Sequence, residues 1–244
     1  SLPQGDTAAV SAAGGLLPYL YQTQKTDLGH IAVFSYYAAG QFMELDLTAR
    51  QTLELTETLR SKEKKGSLLW VLDKTKTAMG GRLMRGWLQR PLLSPVLIAR
   101  RQQAVSDLVE DIITREELSL ALREVTDLER LIGRVVYGSA GGRDLAALAV
   151  GLGKLPHIRE LLAPCSSALL QSLAGELDDL PQLRETLQNA LVDEPPFSVR
   201  EGKLIREGYD PQVDRLRSII ENGGDLLADL ERHTKEETGI KNMK

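Results

Sequence analysis

MELDLTARQTLELTETLRSKEKKGSLLWVLDKTKTAMGGRLMRGWLQRPLLSP, residues 43–95, reads as three short helices in quick succession. Asp46 is placed to cap the first, with Leu53 on its buried side. Ser67 caps the second, whose Leu68, Leu69, Val71 and Leu72 are expected to avoid water. Thr77 caps the third, in which Met79, Leu83, Met84, Trp87 and Leu88 recur at helical spacing. Pro91 and Pro95 stop that helix, and Ser94-Pro95 opens another with a cap followed by proline at the first helical position.

Working outward, residues 1–5 carry no pattern, and a helix is predicted from Asp6 to Gln24, bent or interrupted at Pro18. Gly14 and Gly15 there fit close packing better than phosphate binding. IAVFSYY and QFMELD, flanking Ala38-Ala39-Gly40, read as a pair of short strands. Beyond Pro95 a helix over about 95–112 is expected to turn Ile98, Val105, Leu108, Val109 and Ile112 inward. Thr114–Glu117 and Thr126–Glu129 match the capping-box pattern and start two further helices. Leu145, Leu148, Leu152 and Leu155 carry a stripe to Pro156, and leucines keep helical spacing from Leu161 to Leu191. VDEPPFSVREGKLIREGYDP then reads as a loop with a short extended hairpin. From Pro211 the residues Val213, Leu216, Ile220, Gly223, Leu227 and Leu230 step by three or four, the stripe of a helix suited to a partner helix. A continuous helix over 211–237 would run about 40 Å. Two internal glycines weaken it, and its far end is expected to fray or bend.

Composition bounds what this chain does. In 244 residues, 42% hydrophobic and 26% charged with 5% aromatic is an ordinary balance that favours helix and can bury a core. No run approaches the ~20 apolar residues of a membrane span. Cys165 is alone, so no internal disulfide forms, and a reducing, cytoplasmic setting is expected. The net charge of −4, with 30 basic and 34 acidic residues interleaved, is not that of a dedicated DNA-binding module. Most phosphate contacts should come from elsewhere. The sequence begins without Met and reads as a fragment.

The chemistry-bearing residues are few. The phosphate-loop pattern is missing: at Gly153-Lys154, the nearest approach, Leu155 replaces the hydroxyl residue and Leu148 the first glycine. Gly80-Gly81 has no lysine partner. His30, His157 and His233 lack metal-ligand spacing. Cys165 is a nucleophile only if a base packs against it. Arg82 and Arg85, with Lys62, Lys64 and Lys65 upstream, are candidates for contacts with DNA or with a neighbouring domain, weighed against a solvated face.

The opening stretch also carries a resemblance. MELDLTARQTLELTETLR followed by SLLWVLDKTKTAMGGRLMRGWLQRPL is similar to the core-domain signature of the MutS family, the DNA mismatch-recognition ATPases. RQQAVSDLVE, YGSAGGRDLAAL, FSVREGKLIREGYDP and GYDPQVDRLR resemble further family phrases, so the likeness covers nearly all of residues 12–244. It implies a mainly α chain: the end of a connector over 1–26, a multi-helix bundle core over 27–210 with a short β-hairpin, and a long protruding lever helix over 211–244. TGIKNMK resembles the entry to the family's DNA clamp, so the sequence would end where the clamp begins. The resemblance implies ATP and Mg as cofactors of the parent protein and none of the fragment. It also implies mismatched double-stranded DNA and a MutL-type protein as partners, a homodimeric parent and no membrane. No mismatch-reading, clamp or nucleotide residue can be carried over, and no catalytic, cofactor-binding or metal residue is assigned. Two other readings stand beside it. One is a free-standing helical interaction scaffold; the other is an enzyme with a site assembled from His157, Cys165 and carboxylates.

Overall fold

A computed structural model describes residues 7–24, 28, 29, 31 and 40–239. The described residues are mainly α, and the chain divides into two compact units. The first takes Ser1–Ser139 with Lys154–Asp178; the second takes Ala140–Gly153 with Asp179–Lys244.

In the first unit, α1 (Thr7–Gln24) is continuous through Pro18, so the expected interruption is absent. An added Cβ on Gly14 or Gly15 would meet nothing within 4 Å, so close packing does not explain those glycines. Of the strand pair expected around Ala38-Ala39-Gly40, IAVFSYY lies outside the described residues apart from Ile31, while QFMELD is described and forms no strand. Phe42 alone bridges, antiparallel, to Leu92. Helices α2 (Leu47–Thr52), α3 (Leu68–Leu72), α4 (Ala78–Gln89) and α5 (Pro95–Glu110) begin where the caps place them. Asp46, Ser67, Thr77 and Ser94 each accept a first-turn backbone N–H.

The next two caps are shifted. Asp111 caps α6 (Ile112–Arg123), accepting from Thr114 N at 3.0 Å and from the Thr114 hydroxyl at 2.7 Å. Asp127, not Thr126, caps α7 (Leu128–Val136). In both cases a carboxylate holds the cap position, where it also faces the positive end of the helix dipole.

Helix α8 (Gly142–Leu162) continues through Pro156, with buried Leu152 and Ile158 on either side of it. It gives its first part to the second unit and its last part to the first. The first unit's core gathers Ala104 of α5, Ala121 of α6, Ile158 and Leu162 of α8, and Leu170 and Ala174 of α9 (Ala168–Glu176). Asp107 ties α5 to α9, accepting from the Ser166 hydroxyl at 2.9 Å and from Ser167 N. Burial opposes that charge, yet hydrogen bonds from Ser166, Gln103 and Ser167 hold the carboxyl below its usual range.

Several apolar positions face outward against expectation. Ile98, Val105, Val109 and Ile112 are exposed, while Leu108 packs inward as expected, beside the buried Ala104. Leu53 is exposed. In α3 only Leu69 is buried, at 1%, while Leu68, Val71 and Leu72 are exposed. A five-residue helix has one inner face, and Leu69 N donates to Leu55 O at 2.9 Å to fix it.

In the second unit, the start of α8 buries Leu148, Ala149 and Leu152, and α10 (Pro181–Ala190) leads to buried Leu191. The expected hairpin does not form. Leu191 and Ile205 make one isolated antiparallel bridge, and a 3-10 turn over Val199–Glu201 occupies the intervening loop. That turn carries a true capping box: Ser198 accepts from the backbone and Glu201 accepts from Ser198 N at 2.9 Å. The loop lies against α8 because Gly142 has no side chain; a Cβ there would sit 2.1 Å from Leu204 Cδ1 and 2.9 Å from Pro195 Cβ.

The C-terminal arm is two helices, not one. Asp210 caps α11 (Pro211–Glu221), Asn222 leaves helical geometry at φ −107° and ψ 16°, and α12 (Gly223–Thr238) follows. The apolar stripe keeps its spacing across the break, but the backbone does not.

Candidate functional site: an engaged arginine fork

Thr77 starts α4 by accepting from Gly80 N at 2.9 Å, which sets Arg82 one turn into the helix. Its guanidinium meets two carboxylates of α7. Nη1 and Nη2 donate to the two oxygens of Asp127 at 3.0 and 2.6 Å, while Nε and Nη2 donate to Glu129 Oε2 at 2.9 and 2.7 Å. This is the paired fork geometry for which arginine is suited. The contact with Arg82 holds the Asp127 carboxyl below its usual range, and the two carboxylates raise the guanidinium further.

Asp127 therefore does two jobs, capping α7 and clasping α4. One arginine against two carboxylates leaves these three side chains together net negative. Arg85, one turn further along α4, is exposed and makes no ion pair among the described residues. The upstream lysines are split: Lys62 pairs with Glu57 at 3.6 Å, Lys64 with Asp73 at 2.5 Å, and Lys65 is exposed. Asp73 also accepts from Thr75 N and Thr75 Oγ1. The Lys64 ammonium first, and Thr75 second, bring its carboxyl down to about 2.

Among the described residues no hydrogen bond or ion pair joins Cys165 to a histidine. Burial, then the charges of Asp107 and Asp111, push the Cys165 thiol up, the opposite of what a thiolate nucleophile needs. Its Sγ donates weakly to Leu161 O at 3.6 Å. His157 is exposed, His233 lies 3.6 Å from Glu237 on α12, and His30 is outside the described residues. Gly153 is inside α8, and Lys154 pairs with Glu124, so these residues do not fit a phosphate-binding loop. Among the described residues no group of three His, Cys, Asp or Glu is arranged to hold a metal ion. No described helix is long and apolar enough to cross a membrane.

What the first unit does present is apolar surface. Trp70, Val71 and Leu72 of α3 and Leu83 and Trp87 of α4 are all exposed, with Arg101 stacked 3.6 Å above the Trp87 ring. Neither this surface nor the Arg82 fork was readable beforehand, because partners 45 and 47 residues apart leave no local signal.

A model of the family "MutS domain III" matches residues 48–240, from α2 to beyond the end of α12. The chain belongs to the MutS domain III family. The chain is 47% identical over 238 residues to the DNA mismatch repair protein MutS of Lachnoclostridium phytofermentans, covering 98% of this chain and 26% of that protein. It is 48% identical over 237 residues to the MutS of Desulforamulus reducens, covering 97% and 27%. The MutS of Brevibacillus brevis is 44% identical over 239 residues, covering 98% and 28%. The chain thus spans about a quarter of the length of the curated relatives it matches. A core domain of a mismatch repair protein is the assignment these matches carry.

Proposed function

We propose that this chain is the core and lever of a DNA mismatch-recognition ATPase, passing motion between a nucleotide site and a DNA clamp. In this reading residues 1–26 end a connector, 27–210 form the core, and 211–244 form the lever. The family match carries the proposal, since it includes the two-helix arm as well as the packed helices. Stiff helices on a packed base transmit displacement as levers, because packed elements shift between arrangements rather than deforming. ATP and Mg act in the parent protein, which grips mismatched duplex DNA, pairs as a homodimer and engages a MutL-type partner, in the cytoplasm. This segment itself catalyses nothing. The Arg82–Arg85 face meets DNA phosphate or a neighbouring domain through Arg85, with Arg82 committed to Asp127 and Glu129.

The test is Ile219→Pro in the full-length protein carrying this chain, which breaks α11 where the side chain is already exposed. Nucleotide-free binding to a mismatched duplex and basal ATP turnover should persist, while ATP-driven release slows by roughly tenfold or more. Release at the parent rate would overturn the lever reading. A free-standing interaction scaffold is the second reading, favoured by exposed Trp70, Leu72 and Leu83. It requires this segment to act without a nucleotide-dependent step.

A further inference from the structure

Among the described residues, eight α-helices start on a side chain that accepts a first-turn N–H: Asp46, Ser67, Thr77, Ser94, Asp111, Asp127, Ser167 and Asp210. Helix α12 does not. Asn222 holds its cap position, yet makes no cap bond, and its amide donates backward to Ser218 Oγ at 3.4 Å. An asparagine that could close the second helix is instead turned to the first.

The two residues that follow deepen the anomaly. Gly223 and Gly224 are poor helix formers, and a glycine inside a helix normally marks a close approach of another element. Here an added Cβ at either would meet nothing within 4 Å. Packing does not require these glycines, which leaves their backbone freedom as the property they contribute.

The two halves are each held, but separately. Helix α11 is anchored at its base: Asp210 accepts from Gln212 N and Val213 N, Asp214 from Gly208 N at 2.8 Å, and Arg217 donates to Ile205 O at 2.9 Å. Helix α12 carries its own local pairs, Arg232 with Asp229 and Lys235 with Glu231. Among the described residues no side-chain hydrogen bond or ion pair joins α11 to α12. Ile220 on one side and Leu227 on the other are exposed, so neither fixes the angle between the helices.

We propose that Asn222–Gly224 is a hinge, at which the distal half of the arm changes direction while both helices stay intact. The proposal rests on the lever reading for its purpose, and makes the lever jointed: the base segment is carried by the core and the distal segment swings on it. Such a joint lets one nucleotide-driven displacement accommodate more than one geometry at the DNA end.

The experiment places nitroxide labels at Arg215→Cys and Glu236→Cys, both exposed, in an otherwise cysteine-free full-length protein. Pulsed electron–electron resonance then gives the distance distribution with and without Gly223→Ala plus Gly224→Ala. An unbroken helix would separate the two positions by about 32 Å. The parent should show a broad distribution weighted below that value, and the double variant should narrow and move toward it. A third sample, Asn222→Gly, should broaden it further. Identical distributions in parent and double variant would overturn the hinge, whatever the DNA does. Narrowing with no change in ATP-driven DNA release would keep the hinge and overturn its part in the lever's motion, whereas loss of the lever reading itself is read from Ile219→Pro.

Discussion

The α5–α6–α8–α9 core and the α11–α12 arm are built from much the same residues and put them to opposite use. In the core, Ile158 and Leu170 are buried against alanines of three helices. In the arm, Leu216, Ile220, Leu227 and Leu230 keep an equally regular spacing and are exposed. Periodicity therefore identifies an apolar face in both, but burial depends on whether another element lies opposite. The difference is energetic as well as geometric, and truncating single side chains breaks or sharpens it.

The largest effect belongs to the core. Ile158→Ala or Leu170→Ala should destabilise the chain by about 2–5 kcal/mol in urea unfolding, the transfer loss plus an unfilled cavity. Ile220→Ala should stay within about 0.5 kcal/mol, as for a surface position. Equal losses at the two sites would mean that the arm is covered in solution and that its exposure is not the resting state.

Next comes the contact that seats the Pro195–Leu204 loop on α8. Gly142→Ala places a Cβ 2.1 Å from Leu204 Cδ1 and 2.9 Å from Pro195 Cβ. Leu204 can rotate away, but the proline ring cannot, so a loss of about 1–3 kcal/mol is expected. Gly175→Ala, in a helix with open space, is the matched control and should be neutral or slightly stabilising. If both variants behave alike, the loop is not seated as described.

A smaller effect is expected at Asp73, whose folded carboxyl is depressed to about 2 by Lys64 and then Thr75. A depressed carboxyl contributes stability that is fully present above its unfolded value of about 3.9. That contribution is lost as pH falls through the folded value. The stability gap between the parent and Asp73→Asn should thus be constant above about pH 5 and close between about pH 4 and 2. A gap that persists at pH 2 would show that the Asp73 side chain acts through packing and not through its charge.

The caps were legible because a cap is a local event: one acceptor, one or two N–H groups, three residues apart. They explain why α2 to α5 start where Asp46, Ser67, Thr77 and Ser94 fall. Thr114 failed because Asp111 offers a stronger acceptor one turn earlier, and sequence alone gives both patterns. Val105 and Val109 failed because small Ala104 and Ala121, weak in any hydrophobic pattern, set the close helix contacts. Arg82 was legible as a cation but not as a committed one, since Asp127 and Glu129 reach it only through the fold. The hairpin failed for a related reason: its glycines and prolines signal a bent chain, and Ser198–Glu201 uses the bend for a capped turn.

The smallest effect on global stability, and the one that isolates the arm, comes from Gly223→Ala plus Gly224→Ala. Each glycine costs a helix about 1 kcal/mol relative to alanine. Neither position has a neighbour for a new methyl to strike, so the gain in propensity is not offset by a clash. The gain is local, because the ion pairs Arg232–Asp229 and Lys235–Glu231 lie within α12 and its exposed Leu227 and Leu230 add little to the unfolding transition. The urea midpoint of the chain should therefore stay unchanged within error, while amide exchange over Gly223–Thr238 slows by up to roughly thirtyfold for a local gain near 2 kcal/mol. Ala substitution that left exchange untouched would show that α12 is limited by fraying at its far end, near Gly239 in its left-handed cap. A rise in the global midpoint would instead mean that the arm unfolds together with the core, and the contrast between the two regions would fall.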